Sequence, residues 1–188
     1  MMSISFKCKS ALLLMVSLFC LTSYSQLSQR NILSNTVSIK LPSSFSMMDA
    51  NTLSTKYPPN NKPSEVYTNE EATVNIAFKK TEQQLTNANV LTEGKKLESQ
   101  LVSSGKVHLV KSEQIKSGHN NIHVFSFYSD AIDTKVYNIV FVFSVKGKMV
   151  VGSFNCTYVL QAQWQQTASE IIRSIKSTFL SPPRLPHR

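Results

Sequence analysis

Four strand-like segments in the second half of the chain follow one another with very short connections. The segments, in which apolar residues alternate with polar ones or run together, are residues 107–115, 122–128, 135–145 and 149–158. Polar, turn-forming residues separate them, and no separation is longer than six residues. A connection between parallel strands needs a dozen or more residues. The spacing therefore predicts a largely antiparallel sheet.

Two further segments indicate what covers this sheet. Residues 136–145 are apolar on both faces of a strand, which predicts a central position with a helix on at least one side. Near the C-terminus, an apolar stripe at helical spacing predicts a helix that packs on the sheet. The stripe consists of Trp164, Ala168, Ile171, Ile172, Ile175 and Phe179.

A second helix is predicted over residues 87–103, and Gly105 is placed to end it in a left-handed cap. Its apolar face consists of Val90, Gly94, Leu97 and Leu101. Glycine inside a helix costs about 1 kcal/mol relative to alanine. Gly94 therefore predicts that this helix approaches the sheet closely.

The first half of the chain adds a strand, a short helix and a hairpin. Residues 37–41 alternate between apolar and polar, which predicts a half-buried strand. Asp49 is expected to cap a short helix that continues to about Lys56. Residues 64–68 and 73–79 are predicted to form a hairpin. Together the elements predict an α+β single domain, a largely antiparallel β-sheet of about six to seven strands packed against two main α-helices.

The first 25 residues have the pattern of a secretory signal peptide. Lys7 and Lys9 precede an apolar run from Ala11 to Leu21, and small polar residues follow it. A run of this length is too short to span a bilayer core, which needs about 20 residues. We expect cleavage before Gln26 and export through the secretory pathway to a periplasmic or extracellular location.

Removal of 25 of the 188 residues leaves 163, the size of one domain. A lipid anchor at Cys20 is not expected, because the preceding Phe19 is too large for the lipoprotein peptidase. Residues 26–35 are polar and aperiodic and are expected to form a flexible leader. The domain is expected over residues 36–180 and a disordered tail over 181–188.

Composition limits the chemistry of the mature chain. Cys156 is the only cysteine after residue 25, which excludes an intramolecular disulfide. The net charge is +9, and +7 without Lys7 and Lys9, a balance that favours anionic lipid head groups, anionic glycans or an acidic protein surface as partners. However, the lysines are spread along the chain without a run of five, which is also typical of a solvated surface.

The sequence contains no G-x-S-x-G, H-E-x-x-H, phosphate-loop or C-x-x-C motif after the signal peptide. His119 and His123 could share a metal only with Asp130 or Asp133, but Asp130 is roughly 23 Å from His123 along a strand. Asp130 with Asp133 and Glu70 with Glu71 lie in separate predicted turns, so no catalytic carboxylate pair can be named. We therefore expect no catalytic, cofactor-binding or metal-ligating residues, no cofactor and no enzymatic activity.

Residues 56–63 form the candidate interaction surface. Their three prolines restrict the chain before any binding, and Tyr57 with the nearby Tyr67 offers the amphipathic aromatic area that interfaces favour. The candidate site residues are Tyr57, Asn60, Lys62 and Tyr67. The alternative interpretation is a rigid connecting loop.

Four segments within about residues 36–179 carry a resemblance to a known family. They are the opening strand "IKLP-SSF", the short helix ending in "KYPP", the hairpin "EVYTNEEATVNIAF" and the final helix "W-x-x-x-A-x-x-I-I-x-S-I". In this order they resemble the PsbP-like superfamily, which includes DcrB-like bacterial envelope proteins. The resemblance implies a PsbP-like α+β fold. Its members are mostly non-enzymatic adaptors, assembly factors and chaperones, so it also implies binding, and it carries over no site residues.

We therefore expect an exported, non-enzymatic binding or adaptor protein of the cell envelope that engages another envelope or secreted protein through surface loops. Two alternatives stay open. One is binding of an anionic lipid or glycan through a basic surface, and the other is an immunity or chaperone role for a secreted effector. Nucleic acid is not expected as a partner, and no transmembrane segment is predicted in the mature chain.

Overall fold

Residues 26–131 and 134–177 are described by the structure, a computed structural model, and they form ten strands and three helices. The elements of the first half are β1 (Leu27–Ile32), β2 (Val37–Pro42), β3 (Ser46–Met47), α1 (Ala50–Lys56), β4 (Glu65–Thr68), β5 (Val74–Gln84) and α2 (Val90–Ser103). Those of the second half are β6 (Val107–Ser117), β7 (Asn120–Asp130), β8 (Lys135–Val145), β9 (Lys148–Thr157), α3 (Gln161–Arg173) and β10 (Lys176–Ser177). The predicted signal peptide (1–25), Asp133, Phe179 and the predicted tail (181–188) lie outside the described residues.

The main sheet has seven strands in the order β3-β4-β5-β9-β8-β7-β6, and every neighbouring pair is antiparallel. The strands β6 to β9 follow one another along the chain with connections of two to four residues, as the sequence spacing predicts. The hairpin β4–β5 joins this meander because β5 pairs with β9. The predicted α+β fold with a largely antiparallel sheet of six to seven strands is confirmed.

Strand β8 lies inside the sheet, with β7 on one side and β9 on the other. Its residues are buried alternately on the two faces: Phe141 belongs to the core on one face and Val142 to the core on the other. This explains the unbroken apolar run over residues 136–145, because a strand that is covered on both faces needs apolar residues at odd and even positions alike.

Helices α1 and α2 cover one face of the main sheet. Val90 of α2 packs against Val142 and Met149, and Leu53 of α1 packs against Val66. The opposite face is covered by α3 and by a small second sheet in the order β1-β2-β10. Burial of each large apolar side chain in these layers contributes about 1.5–3 kcal/mol relative to exposure.

The prediction of a flexible leader over residues 26–35 is wrong for most of this segment. Residues 27–32 form β1, which pairs in antiparallel register with β2 from Leu27 opposite Pro42 to Ile32 opposite Val37. The segment has no strand periodicity of its own because polar residues stand on both of its faces, with Gln29 and Asn31 exposed and Ser28 and Arg30 half-buried. The backbone hydrogen bonds of β2 order it, and Ile32 and Leu33 anchor its end in the core.

The predicted C-terminal helix is confirmed, but it ends earlier than its apolar stripe suggests. α3 stops at Arg173, and the amide of Ser174 closes its last turn by donating to Glu170, Ile171 and Ile172. Ile175 is nevertheless fully buried, in the irregular backbone between α3 and β10. The apolar stripe in the sequence continues past the end of α3 because Ile175 packs into the same core as Ile171 and Ile172, although its backbone is not part of the helix.

Both predicted helix caps are present. Oδ1 of Asp49 accepts hydrogen bonds from the amides of Asn51 and Thr52, each at 3.0 Å, and begins α1. Gly105 follows α2 with φ +68°, a left-handed conformation that glycine adopts without strain, and its amide donates to the carbonyl of Val102. The start of α1 and the end of α2 could therefore be predicted from single residues.

Candidate functional site

The predicted interaction loop connects α1 to β4. Tyr57 ends α1 by donating its amide to the Leu53 carbonyl, and Pro58 continues in an extended conformation. Residues 59–61 form a single 3-10 turn, closed by the Asn61 amide and the Pro58 carbonyl at 3.0 Å. Asn60 and Lys62 are both exposed at this turn. The loop therefore presents polar side chains from a backbone that is already ordered.

Tyr57 anchors this loop to the sheet. Its half-buried ring packs against the cluster of Met48, Val66 and Ala77. Burial raises the pKa of the Tyr57 phenol, and a hydrogen bond with Asn155 lowers it in part. Tyr57 therefore agrees with both interpretations of the loop. Its buried part anchors a connecting segment, and the accessible part of its ring could contact a partner.

Tyr67 does not belong to this surface. Successive residues of a strand point to opposite faces, so Val66 points toward α1 while Tyr67 points into the core on the other side. The Tyr67 hydroxyl donates to Oε2 of Glu65 at 3.1 Å. Burial, together with the carboxylate of Glu65, raises the pKa of Tyr67 to about 12. The prediction that Tyr67 offers contact area beside Tyr57 is wrong.

A groove lies beside the loop, between β5 and α2, with a volume of about 420 Å³. We call it the α2 groove. It is lined by Asn61, Lys79, Thr81, Gln83, Glu93, Lys96, Leu97, Gln100, Leu101, Val140, Met149 and Val151. Its floor is apolar and comes from β8 and β9, one wall is α2, and the other wall is β5 with the 3-10 turn of the loop.

The rim of the α2 groove is polar and ordered by local contacts. Nζ of Lys79 donates to Oδ1 of Asn61 at 2.7 Å, which ties the loop to β5. Across the groove, Lys96 and Glu93 of α2 form an ion pair at 2.7 Å, and Gln83 also donates to Glu93. Lys79 and Lys96 at the rim, together with Lys62 next to it, outnumber the carboxylate of Glu93.

A row of asparagines crosses the same face of the sheet. Asn155 of β9 lies opposite Asn75 of β5 and opposite Asn138 of β8. Nδ2 of Asn75 donates to Oδ1 of Asn155 at 3.1 Å, whereas the buried Oδ1 of Asn75 has no hydrogen-bond partner among the described residues. Sequence reasoning missed this row, because each asparagine lies in a different strand.

His123 is buried under α2. Its Nε2 lies 2.8 Å from Oε2 of Glu98, which also accepts a hydrogen bond from Ser112 at 2.6 Å. His119 lies in the turn before it, where its carbonyl accepts from Asn87. Within residues 26–131 and 134–177, no three His, Cys, Asp or Glu side chains are placed to hold one metal ion.

The remaining candidates for chemistry are separated in space. Cys156 is buried in the core, where burial raises the pKa of its thiol to about 11. Glu70 and Glu71 lie in the exposed turn of the β4–β5 hairpin, and Asp130 lies at the exposed end of β7. No helix in the described part of the chain combines the length and the apolarity that crossing a bilayer requires.

No protein-family model matches this sequence, and no curated protein sequence matches it. Solved structures do match its fold. The solution structure of cyanobacterial PsbP (CyanoP) from Synechocystis sp. PCC 6803 gives a TM-score of 0.57 at 10% identity, over 81% of this chain and 93% of that chain.

Two further structures are similar at the same level. The Saccharomyces cerevisiae Ran-binding protein Mog1p gives a TM-score of 0.51 at 15% identity, over 81% of this chain and 96% of that chain. A protein of Bacteroides thetaiotaomicron gives 0.51 at 13% identity, over 82% of this chain and 49% of that chain. The chain therefore has the PsbP-like fold that its sequence resemblance implies.

Proposed function

We propose that this chain is an exported, non-enzymatic adaptor of the cell envelope that binds another exported protein through the α2 groove. The observation that carries the proposal is an apolar floor bordered by an ordered polar rim. Protein interfaces have this organisation, with apolar anchors at the centre and polar groups around them.

The floor suits an apolar side chain of a partner. Met149 and Val140 are largely buried, while Val151, Leu97 and Leu101 are half-buried, so each keeps some apolar surface that only a ligand would remove from water. A single anchoring side chain in such a groove can contribute much of the binding free energy. Pro58 and Pro59 and the closed 3-10 turn restrict the backbone of residues 57–61 before association, which lowers the ordering cost of binding.

The rim selects for acidic residues around that anchor. Lys62, Lys79 and Lys96 lie at or next to the groove, and Glu93 is engaged by Lys96 and Gln83. Complementary charges increase the association rate and exclude wrong partners. We therefore expect a partner segment that carries an apolar side chain flanked by aspartate or glutamate.

The chemistry of the groove supports binding rather than turnover. The hydroxyl of Thr81 donates to the Met149 carbonyl, so it is not paired with a general base. The name of Mog1p describes a protein that binds another protein, Ran, on the same fold. A protein partner for this chain agrees with that precedent, and the predicted signal peptide would bring the pair together outside the cytoplasm.

The test starts from partners captured from envelope extract and measures their affinity with purified components. In the variant Lys62→Glu/Gln100→Glu, Gln100 lines the groove and the exposed Lys62 follows Asn61 of its rim, and neither side chain makes a hydrogen bond to another described residue. We expect binding to weaken roughly tenfold or more, because acidic groups of the partner would then face like charges.

The matched control is Gln114→Glu/Lys116→Glu, which makes the same charge change on exposed positions of β6. Equal weakening by both variants would indicate a general charge effect and contradict a groove interface. The lipid or glycan alternative is separated by salt: its binding should fall steeply as ionic strength rises, whereas binding with an apolar centre should fall little.

A further inference from the structure

A second cavity lies on the opposite face of the main sheet, between the edge strand β6 and helix α3. Its volume is about 240 Å³. We call it the β6–α3 cleft. The groups that matter are Lys111 and Glu113 of β6, Ser126 of β7, Tyr137 of β8, and Ile172 and Arg173 of α3. It shares no residue with the α2 groove, so the inference does not rest on the proposed function.

The floor of the cleft contains two buried hydroxyl groups. Tyr137 is 4% exposed and Ser126 is 6% exposed, and they lie among apolar side chains such as Ile139 and Ile172. Burial raises the pKa of the Tyr137 phenol, with a smaller opposing effect of Ser126, so the phenol keeps its proton at neutral pH and can donate it. Buried polar groups inside an apolar surface are the feature that orients a small ligand.

The mouth of the cleft is cationic. Nζ of Lys111 lies 3.0 Å from Glu113, and Arg173 reaches the mouth from the last turn of α3. Within the described residues, Arg173 forms no ion pair, so two cations share one carboxylate.

We propose that the β6–α3 cleft binds a small amphipathic monocarboxylate. Its carboxylate lies between Arg173 and Lys111 and accepts a hydrogen bond from the Tyr137 hydroxyl, and its apolar body packs against Ile139 and Ile172. A guanidinium and a neutral hydroxyl are the donors that a carboxylate prefers. At about 30 Å³ per water molecule, the cleft volume of about 240 Å³ corresponds to about eight water molecules, which suits an acyl or aryl acid of about eight to ten non-hydrogen atoms.

The experiment is a titration of the purified protein with octanoate, followed by amide chemical shifts in two-dimensional NMR spectra. We expect saturable one-to-one binding with shifts that cluster at Lys111, Ser126, Tyr137 and Arg173. Octanamide, which has the same chain without the charge, should bind roughly tenfold more weakly or worse. Arg173→Gln and Tyr137→Phe should each weaken octanoate binding, the former by about tenfold.

Lys116→Gln is the matched control for Lys111→Gln. Both lysines are exposed on β6, but Lys116 points to the other face of the sheet. The control should leave the dissociation constant unchanged while Lys111→Gln raises it. Shifts that cluster outside the cleft, equal affinities for octanoate and octanamide, or an unchanged affinity in Arg173→Gln would each overturn the proposal.

Discussion

The ring of His123 occupies the space that a side chain at position 94 would need. A Cβ added to Gly94 would lie 2.5 Å from Cδ2 of His123, closer than real Cβ contacts allow. α2 therefore contacts β7 directly at this point, and Glu98, one helical turn later, binds Nε2 of the same ring at 2.8 Å. The glycine and the glutamate together set the distance and the register of α2 on the sheet.

Gly94→Ala should lower the free energy of unfolding by up to about 2 kcal/mol. Overpacking of a tight contact costs about 1–3 kcal/mol, while alanine recovers about 1 kcal/mol of helix propensity. Urea denaturation measures the difference. Thr92→Ala, an exposed change on the same helix, is the control and should be neutral or slightly stabilising.

The same substitution should be less damaging when His123 is truncated. In a double-mutant cycle, the cost of Gly94→Ala in the His123→Ala background should be smaller than in the wild type, since the ring atoms Cδ2 and Cγ are removed and only the Cβ of residue 123, at 2.6 Å, still opposes the added methyl group. Additive effects of the two changes would mean that the close contact does not limit the position of α2.

Gly152→Ala should destabilise the protein more than Gly94→Ala, by about 3 kcal/mol or more. A Cβ there would lie 2.0 Å from Cε2 of Phe141, a fully buried ring that also packs edge-on against Phe78. Thermal unfolding measures the loss. If the variant does not fold, Gly152→Ala/Phe141→Leu should restore part of the stability, and failure of this rescue would argue against the predicted contact.

Stability should decrease in alkaline solution as pH rises above about 9. The folded protein holds the Cys156 proton to a pKa of about 11 and the Tyr67 proton to about 12, above the ordinary values of 9.0 and 10.0. Between about pH 9 and pH 12 the unfolded chain binds fewer protons than the folded chain, so each rise in pH favours unfolding. This contribution is fully present below pH 9 and is lost as pH approaches 12.

Denaturation midpoints at successive alkaline pH values test this dependence. Tyr67→Phe and Cys156→Ala should each flatten the decrease, whereas Tyr158→Phe, at an exposed tyrosine, should not. A decrease of the same steepness in all variants would assign the alkaline sensitivity to other groups.

Cys156 should react slowly with a thiol reagent in the folded protein. The side chain is 1% exposed, and burial keeps its thiol protonated near neutral pH, whereas the thiolate is the reactive species. Labelling should become fast in denaturant. Rapid labelling under native conditions, in protein with an unchanged circular dichroism spectrum, would contradict the buried position.

Several features were predictable because single residues encode them. Asp49 at the start of α1, Gly105 after α2 and the alternation along β2 act within a few residues of chain, and the structure has each of them where it was expected. The close approach at Gly94 was predictable in kind, since an unfavourable helix residue on an apolar face needs a packing reason. Its partner, His123, could not be named from local sequence.

Other features depend on partners far along the chain. Residues 27–32 show no strand pattern, yet β2 orders them as β1 through backbone hydrogen bonds that any sequence can make. The position of Tyr67 required the pairing of β4 with β5, because register decides which face of a strand is buried. The loop at residues 57–63 was predicted, whereas the groove beside it needs α2, β5 and β9 together.

The amino-acid sequence alone determined most of the segments that become strands and helices, though not β1, because hydrophobic period, capping residues and short connections are properties of neighbouring positions. Tertiary structure alone decided which polar groups meet. Lys111, Tyr137 and Arg173 come from three separate elements, and only the packing of α3 across the sheet brings them to one cleft. Cavities form where distant surfaces fail to fill the space between them, and that space depends on the positions of whole elements.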